Sequence, residues 1–96
     1  MQQPTVYIIA SQRNGTLYVG VTSNLIKRIY QHRAGIIDGF TKKYECKLLV
    51  FYESHQTMLS AILREKLIKA GSRKKKLTLI ETMNPDWKDL YEDIIS

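Results

Sequence analysis

The chain has 96 residues, of which 44% are hydrophobic, and it carries a formal net charge of +6 at pH 7. This length predicts one domain over residues 1–96, which we expect to be a monomer. No apolar run is long enough to span a bilayer, which argues against a membrane protein. Cys46 is the only cysteine, which excludes an internal disulfide and favours a reducing, cytoplasmic location.

Basic residues are unevenly distributed along the chain. All but one of the 15 lysines and arginines lie in residues 1–80, whereas five of the nine acidic residues lie in residues 81–96. A basic body attracts polyanions, so this pattern favours a nucleic acid as the partner. A charged surface that only keeps the protein in solution is the alternative, because composition does not distinguish the two.

Two apolar segments flank an Asn14-Gly15 pair, and this pattern predicts a β-hairpin with strands over Val6–Ala10 and Leu17–Val21. If the pair is central in a type I′ turn, Ile9 faces Gly20. Since side chains alternate along a strand, one face then carries two phenols beside a glycine. The residues predicted on that face are Tyr7, Ile9, Tyr18 and Gly20. The other face is predicted to be apolar core, formed by Val6, Ile8, Leu17, Val19 and Val21.

A helix and a third strand are predicted after the hairpin. Helical spacing begins at Asn24, with Thr22 or Ser23 as the expected N-cap and Gly35 as the expected end. Residues 36–45 are predicted to form a loop. The continuous apolar segment within Lys47–Tyr52 predicts a strand that is covered on both faces.

The last third of the chain is predicted to be helical. Ser54 is expected to cap a helix over residues 55–70, and Ser72 one over residues 73–80. Asn84-Pro85 is expected to begin a short final segment over Trp87–Ile94. The element order is therefore β-β-α-β-α-α, an α+β class with helices packed on a three-stranded sheet.

Glu65 is unusual for a helical position because it projects between Ala61 and Ile62, inside the apolar arc. Burying an unpaired carboxylate costs several kcal/mol, so Glu65 is expected over a cleft, beside a base or on a cation. The alternative is an ordinary pair with Lys69, one turn later, solvated at the rim.

Arg28 and His32 lie one helical turn apart and could bind a phosphate together, through a forked guanidinium and an imidazole. The alternative is a rim arginine beside a half-buried histidine. Tyr7 and Tyr18 could act as acid or base, although a phenol with a pKa near ~10 needs a nearby cation to become a base. Two core tyrosines with their hydroxyls at the edge are the alternative there.

Further basic residues could contact the phosphates of a nucleic acid, or could equally be solvated surface charges. These are Lys42, Lys43, Lys69, Arg73 and Lys74.

These segments together resemble the GIY-YIG nuclease superfamily, in particular its short stand-alone bacterial members. The resemblance runs from about Thr5 to Tyr91. Tyr18-Val19-Gly20 is close to the second family tripeptide, whereas the first retains only Tyr7 within Thr5-Val6-Tyr7. Gly39–Tyr44 resembles the family's loop, and Ala61–Lys69 resembles its metal-binding helix. The break at Ala70–Arg73 departs from relatives in which this helix is continuous.

The resemblance implies a three-stranded antiparallel sheet flanked by helices, and a Mg²⁺-dependent endonuclease that nicks DNA, branched or damaged DNA included. Mn²⁺ would substitute for Mg²⁺. Glu65 would be the single metal ligand from protein, and Arg28 would stabilise charge on the scissile phosphate. Tyr7, Tyr18 and His32 would surround the nucleophilic water, with one tyrosine as the base. A non-catalytic DNA- or RNA-binding module with the same fold is the alternative function.

Overall fold

The computed structural model describes residues 3–96 and consists of an antiparallel three-stranded sheet with helices on both faces. The strands are β1 (Thr5–Ala10), β2 (Leu17–Thr22) and β3 (Leu48–Ser54), in the spatial order β2-β1-β3. The helices are α1 (Leu25–Arg33), α2 (Phe40–Lys43), α3 (Met58–Ala70), α4 (Arg73–Met83) and α5 (Tyr91–Ile95). The predicted α+β class is confirmed, with the short helix α2 inside the predicted loop. Within residues 3–96, no helix has the length and apolarity needed to cross a bilayer.

The predicted hairpin forms, but its predicted register is wrong by two residues. Tyr7 pairs with Gly20, and the Ser11 N–H donates to the Thr16 carbonyl at 3.0 Å, so the connecting turn is longer than two residues. A type I′ turn needs positive φ at both central residues, whereas only Asn14 of the pair adopts it, at 58°. Because side chains alternate with a period of two, this shift leaves every predicted face unchanged.

Both faces of the sheet are covered. The apolar face packs against α3 and α4, and its buried residues are Val6, Ile8, Ala10, Val19, Val50, Phe51, Ala61, Ile68, Ile80 and Trp87. The opposite face, here called the tyrosine face, packs against α1 and α5. Its buried residues are Tyr7, Ile9, Ile29, Cys46, Leu49 and Leu90, with Tyr18 partly buried among them. The prediction that β3 is covered on both faces is therefore confirmed.

Two predicted helix boundaries are confirmed. Gly35 ends α1 with a φ of 69°, and its N–H donates to the His32 carbonyl at 3.2 Å. The Ser72 hydroxyl accepts from the Lys75 N–H and caps α4.

Two predicted N-caps are wrong. Asn24 caps α1, because Thr22 is the last residue of β2 and its hydroxyl accepts from the Asn24 N–H. Thr57 caps α3, because Ser54 is still the last residue of β3. In both cases the strand runs further than predicted and moves the helix start towards the C-terminus.

The final segment also differs from the prediction. Asn84 is the C-cap of α4, and its amide donates to the carbonyls of Val50 at 3.2 Å and Lys88 at 2.7 Å. The backbone then follows the outer edge of β3, where the Leu90 N–H donates to the Leu49 carbonyl at 2.8 Å. Helix α5 begins only at Tyr91, since Asn84 holds the preceding turn in a non-helical conformation.

Candidate active site

Tyr7 lies at the centre of the tyrosine face, and its ring crosses Gly20, the residue opposite it on β2. A Cβ at Gly20 would lie 2.4 Å from the Tyr7 hydroxyl oxygen, so only glycine leaves room for this phenol. The side chain is fully buried, yet its hydroxyl forms a hydrogen bond with His32 Nε2 at 3.0 Å. The hydroxyl is thereby directed towards the β2 edge, away from the middle of the core.

His32 is buried on α1 between two hydroxyls. Its Nε2 lies 3.0 Å from the Tyr7 hydroxyl, and its Nδ1 lies 3.1 Å from Thr41 Oγ1. Burial and the positive charge of Arg28 both lower the pKa of His32, which leaves the imidazole neutral near pH 7. A neutral imidazole donates through one nitrogen and accepts through the other, and the two hydroxyls satisfy both.

Arg28 lies one turn before His32 and lines a polar cavity of about 230 Å³ together with Lys27 and Gln31. Burial and the nearby Tyr18 raise the pKa of Tyr7 to about 12, although hydrogen bonding and charge from Arg28 lower it. Tyr7 is therefore a protonated phenol at neutral pH.

Glu65 lies on α3, which packs on the apolar face, but its charge is felt by Tyr7 on the tyrosine face. Its negative charge contributes to the raised pKa of Tyr7. The carboxylate oxygen Oε2 lies 3.0 Å from Lys69 Nζ, and this ammonium lies 5.7 Å from the centre of the Tyr18 ring. The side chain of Glu65 is only 14% exposed. The pair with Lys69, given above as the alternative, therefore forms, but only its lysine is solvated and its carboxylate is largely enclosed.

The five residues singled out for catalysis lie on four elements that meet at this edge of the sheet: Tyr7, Tyr18, Arg28, His32 and Glu65. The ring centroids of Tyr7, Tyr18 and His32 are 5.8 to 6.4 Å apart. At the edge of β2, α1 brings His32 and Arg28 to Tyr7 from one face of the sheet. From the other face, α3 brings Lys69, paired with Glu65, to Tyr18.

Aromatic rings continue from this cluster to the surface. The Phe40 ring lies 6.1 Å from that of Tyr18, and the Tyr44 ring lies 4.7 Å from that of Phe40. Both outer rings are exposed. Lys42 and Lys43 are exposed beside them on α2, with Lys43 Nζ 5.4 Å from the Tyr44 ring centre.

Two of the predicted basic contacts lie elsewhere. The Arg73 guanidinium donates to the carbonyls of Asn14 and Gly15 at 2.9 and 2.7 Å, which fastens the hairpin turn to α4. Lys74 lines a separate cavity of about 530 Å³ between α3 and α4, with Leu67 in its wall. Neither side chain adjoins the tyrosines.

Thr41 is a site residue that the sequence pattern did not single out. It is buried on α2, and its hydroxyl fixes His32 from the side opposite to Tyr7. The only sequence signal was a small polar residue next to two lysines in a predicted loop, which does not indicate burial.

The donor set fits a hard cation that retains much of its water. Within residues 3–96, no group of three or more His, Cys, Asp or Glu side chains could hold a metal ion. Zinc sites need such a set, whereas Mg²⁺ binds through one or two carboxylates together with water and phosphate oxygens. Glu65, a single and largely enclosed carboxylate, suits only the second kind of ion.

Comparison with known proteins identifies the family. The model for the GIY-YIG catalytic domain matches residues 3–78. The chain belongs to the GIY-YIG family. The family resemblance noted from the motifs is therefore confirmed, and it places the chain in a nuclease superfamily.

This GIY-YIG chain is also similar to small bacterial proteins over most of their length. The UPF0213 protein of Staphylococcus haemolyticus is 38% identical over 81 residues, covering 84% of this chain and 98% of that protein. The UPF0213 protein of Staphylococcus saprophyticus is 38% identical over 80 residues, covering 83% and 96%. The name UPF0213 states no activity.

A solved structure supports the fold of this GIY-YIG domain. The solution NMR structure of the UPF0213 protein from Bacillus halodurans matches with a TM-score of 0.57 and 25% identity, covering 91% of this chain and 92% of that one. All five clustered residues lie inside the segment that the GIY-YIG model matches, whereas residues 79–96 lie outside it.

Proposed function

We propose that this GIY-YIG domain is a DNA endonuclease that hydrolyses phosphodiester bonds with Mg²⁺ as its cofactor and Mn²⁺ as a substitute. One observation carries the proposal: an imidazole bonds the Tyr7 phenol, a guanidinium and a carboxylate act on its pKa, and the Tyr18 ring lies 6.4 Å away. Each of these groups has a role in phosphodiester hydrolysis. The net charge of +6 suits a DNA substrate.

Glu65 would hold the metal ion, which supplies a Lewis acid and lowers the pKa of a bound water. Arg28 would stabilise the charge that develops on the scissile phosphate, because its guanidinium is permanently charged and offers two parallel donors. The polar cavity that Arg28 lines gives a phosphate access to that guanidinium.

His32 would accept the hydroxyl proton of Tyr7. A neutral imidazole 3.0 Å from the phenol can accept that proton, and Thr41 holds the ring in place. Positive charge beside a phenol lowers its pKa, as Arg28 already does for Tyr7. Tyr7 or Tyr18 would then be the base, and comparing cleavage by Tyr7→Phe and Tyr18→Phe identifies which.

The proposed DNA-contacting residues are those predicted from sequence. Lys69 lies beside the Tyr18 ring, and Lys43 lies beside the Tyr44 ring. Exposed aromatic rings beside lysines are a common surface for nucleic acids, since bases stack and phosphates pair. The proposed contacts are Lys42, Lys43, Lys69, Arg73 and Lys74.

Nicking of supercoiled plasmid tests the proposal. We expect the wild-type chain to produce open circles with Mg²⁺ and to stop when EDTA is added. Glu65→Gln should lower the rate roughly a hundredfold or more, because a metal-ligand oxygen is lost. Glu92→Gln, an exposed carboxylate on α5, is the matched control and should cleave normally. Cleavage that survives both EDTA and Glu65→Gln would overturn the metal-dependent mechanism.

The second candidate is a non-catalytic DNA- or RNA-binding module. It is favoured by the exposed rings of Phe40 and Tyr44 beside Lys42 and Lys43, which could bind nucleic acid without the buried cluster. Salt-dependent binding without cleavage of plasmid, branched and single-stranded substrates would select this function.

A further inference from the structure

The ion pair between Glu65 and Lys69 uses the same carboxylate that is proposed to hold the metal. Lys69 Nζ lies 3.0 Å from Glu65 Oε2, and the two side chains differ in exposure, 49% for the lysine and 14% for the glutamate. An enclosed carboxylate has little freedom to move, whereas a half-exposed lysine on a four-carbon stem can turn towards solvent. The lysine is therefore the exchangeable partner.

The charges at the site oppose a bare divalent ion. Arg28 and Lys69 are cations and Glu65 is the one carboxylate whose charge acts on Tyr7, while His32 and Tyr7 are neutral near pH 7. A divalent ion would add two positive charges to a partly enclosed site that already has an excess of cations. A phosphodiester would bring negative charge and would give Lys69 a second anionic partner.

Lys69 is also close to the phenols. Its Nζ lies 5.7 Å from the centre of the Tyr18 ring, so the ammonium that pairs with the carboxylate also lies near a phenol. A lysine that leaves Glu65 for a phosphate remains beside the phenols.

We propose that Lys69 is an exchangeable counter-ion that couples metal binding to substrate binding. Without nucleic acid, Lys69 pairs with Glu65 and competes with the divalent ion. With a phosphodiester present, Lys69 pairs with the phosphate and releases the carboxylate to the metal. By linkage, each ligand strengthens the other's binding by the same factor. This inference rests on the proposed function.

Equilibrium binding of Mn²⁺, followed by the EPR signal of the free ion, tests the proposal without any cleavage. Lys69→Met should bind Mn²⁺ about three- to tenfold more tightly than the wild-type chain, because the competing ammonium is gone. Lys66→Met, at an exposed lysine on the same helix, is the matched control and should resemble the wild-type chain. Equal tightening in the two variants would show a general effect of charge and would overturn the proposal.

The coupling is measured by repeating the titration with a phosphorothioate DNA oligonucleotide. We expect it to tighten Mn²⁺ binding to the wild-type chain by a larger factor than to Lys69→Met. A methylphosphonate oligonucleotide of the same sequence lacks the backbone charge and should give no such difference. The same factor in the wild-type chain and Lys69→Met would overturn the role of Lys69.

Glu65→Gln separates this inference from the proposed function. If the wild-type chain binds no Mn²⁺, or if Glu65→Gln binds it equally well, the proposed metal site fails and the counter-ion role fails with it. If Glu65→Gln loses binding while Lys69→Met matches the wild-type chain, the metal site stands and only the role of Lys69 is overturned. Circular dichroism of each variant checks that it is folded.

Discussion

The two faces of the sheet share three strands but differ in what they bury. The apolar face buries aliphatic side chains together with Phe51 and Trp87, whereas the tyrosine face buries Tyr7 and His32 as well as aliphatic residues. Within residues 3–96, every buried side-chain nitrogen and oxygen has a hydrogen-bond partner. Close packing alone holds the buried aliphatic side chains of the apolar face in place. On the tyrosine face, hydrogen bonds also orient the buried Tyr7 and His32.

The largest effect is expected on the apolar face. Ile8 is fully buried there, and Ile8→Ala should lower the free energy of unfolding by about 3 kcal/mol, because it removes apolar contact and leaves a cavity. Urea denaturation measures this change. Leu59→Ala, at a leucine that is 68% exposed, is the control and should change stability by less than about 0.5 kcal/mol. Similar losses of stability in the two variants would contradict the placement of Ile8 in the core of the apolar face.

Gly20→Ala tests the close contact between Gly20 on β2 and the ring of Tyr7 on β1. The new Cβ would lie 2.4 Å from the phenol, so the ring must shift and the hydrogen bond to His32 must lengthen. We expect a loss of about 2 kcal/mol in urea denaturation together with a changed Tyr7 ring environment in NMR spectra. Gly71→Ala is the control, since its nearest contact would be an ordinary 3.4 Å. A Gly20→Ala variant with the stability of Gly71→Ala would refute this packing.

Thr41→Val keeps the volume of the side chain and removes the hydroxyl that bonds His32 Nδ1. Stability should fall by about 1 kcal/mol, because a buried ring nitrogen loses its partner. The imidazole ¹⁵N shifts of His32 should also change as its preferred tautomer is lost. Thr78→Val, at an exposed threonine on α4, should leave those shifts unaltered. Unchanged shifts in Thr41→Val would mean that Thr41 does not orient the ring.

The smallest effect is a pH dependence of stability that arises from His32 on the tyrosine face. Burial lowers the pKa of His32 below its usual 6.5, so the unfolded chain takes up a proton that the folded chain resists. The free energy of unfolding should therefore decrease as the pH falls below 6.5, towards the folded pKa. Urea denaturation between about pH 5 and pH 7 measures the slope. His32→Gln should flatten it, and a slope that persists unchanged would contradict this assignment.

The faces of the hairpin could be predicted because they depend only on alternation. The register error of two residues leaves Tyr7 and Tyr18 on the same face of the sheet. An error of one residue would have placed them on opposite faces. The family could be predicted because ordered motifs accumulate along the chain. The turn type could not be predicted, because the Asn14-Gly15 pair permits a positive φ at both residues but does not require it. In the structure only Asn14 adopts one.

Side-chain contacts that depend on how the helices pack on the sheet could not be predicted from sequence patterns. The helical wheel identified Glu65 as anomalous, but its approach to Tyr7 depends on how α3 lies against β2. Arg73 stays a proposed phosphate contact, but no sequence pattern indicated that its guanidinium bonds the carbonyls of the hairpin turn. Thr41 is buried only because α2 packs over His32.

The backbone that follows Asn84 has a consequence for solubility. β3 is an edge strand, and open edges invite pairing with strands of other molecules. The Leu90 N–H and the Asp89 carboxylate bond both backbone groups of Leu49, while Asn84 bonds Val50, which the irregular register leaves without a partner on β1. These contacts shield one margin of the sheet from intermolecular β-pairing, so weakening them should appear first as aggregation in concentrated solution.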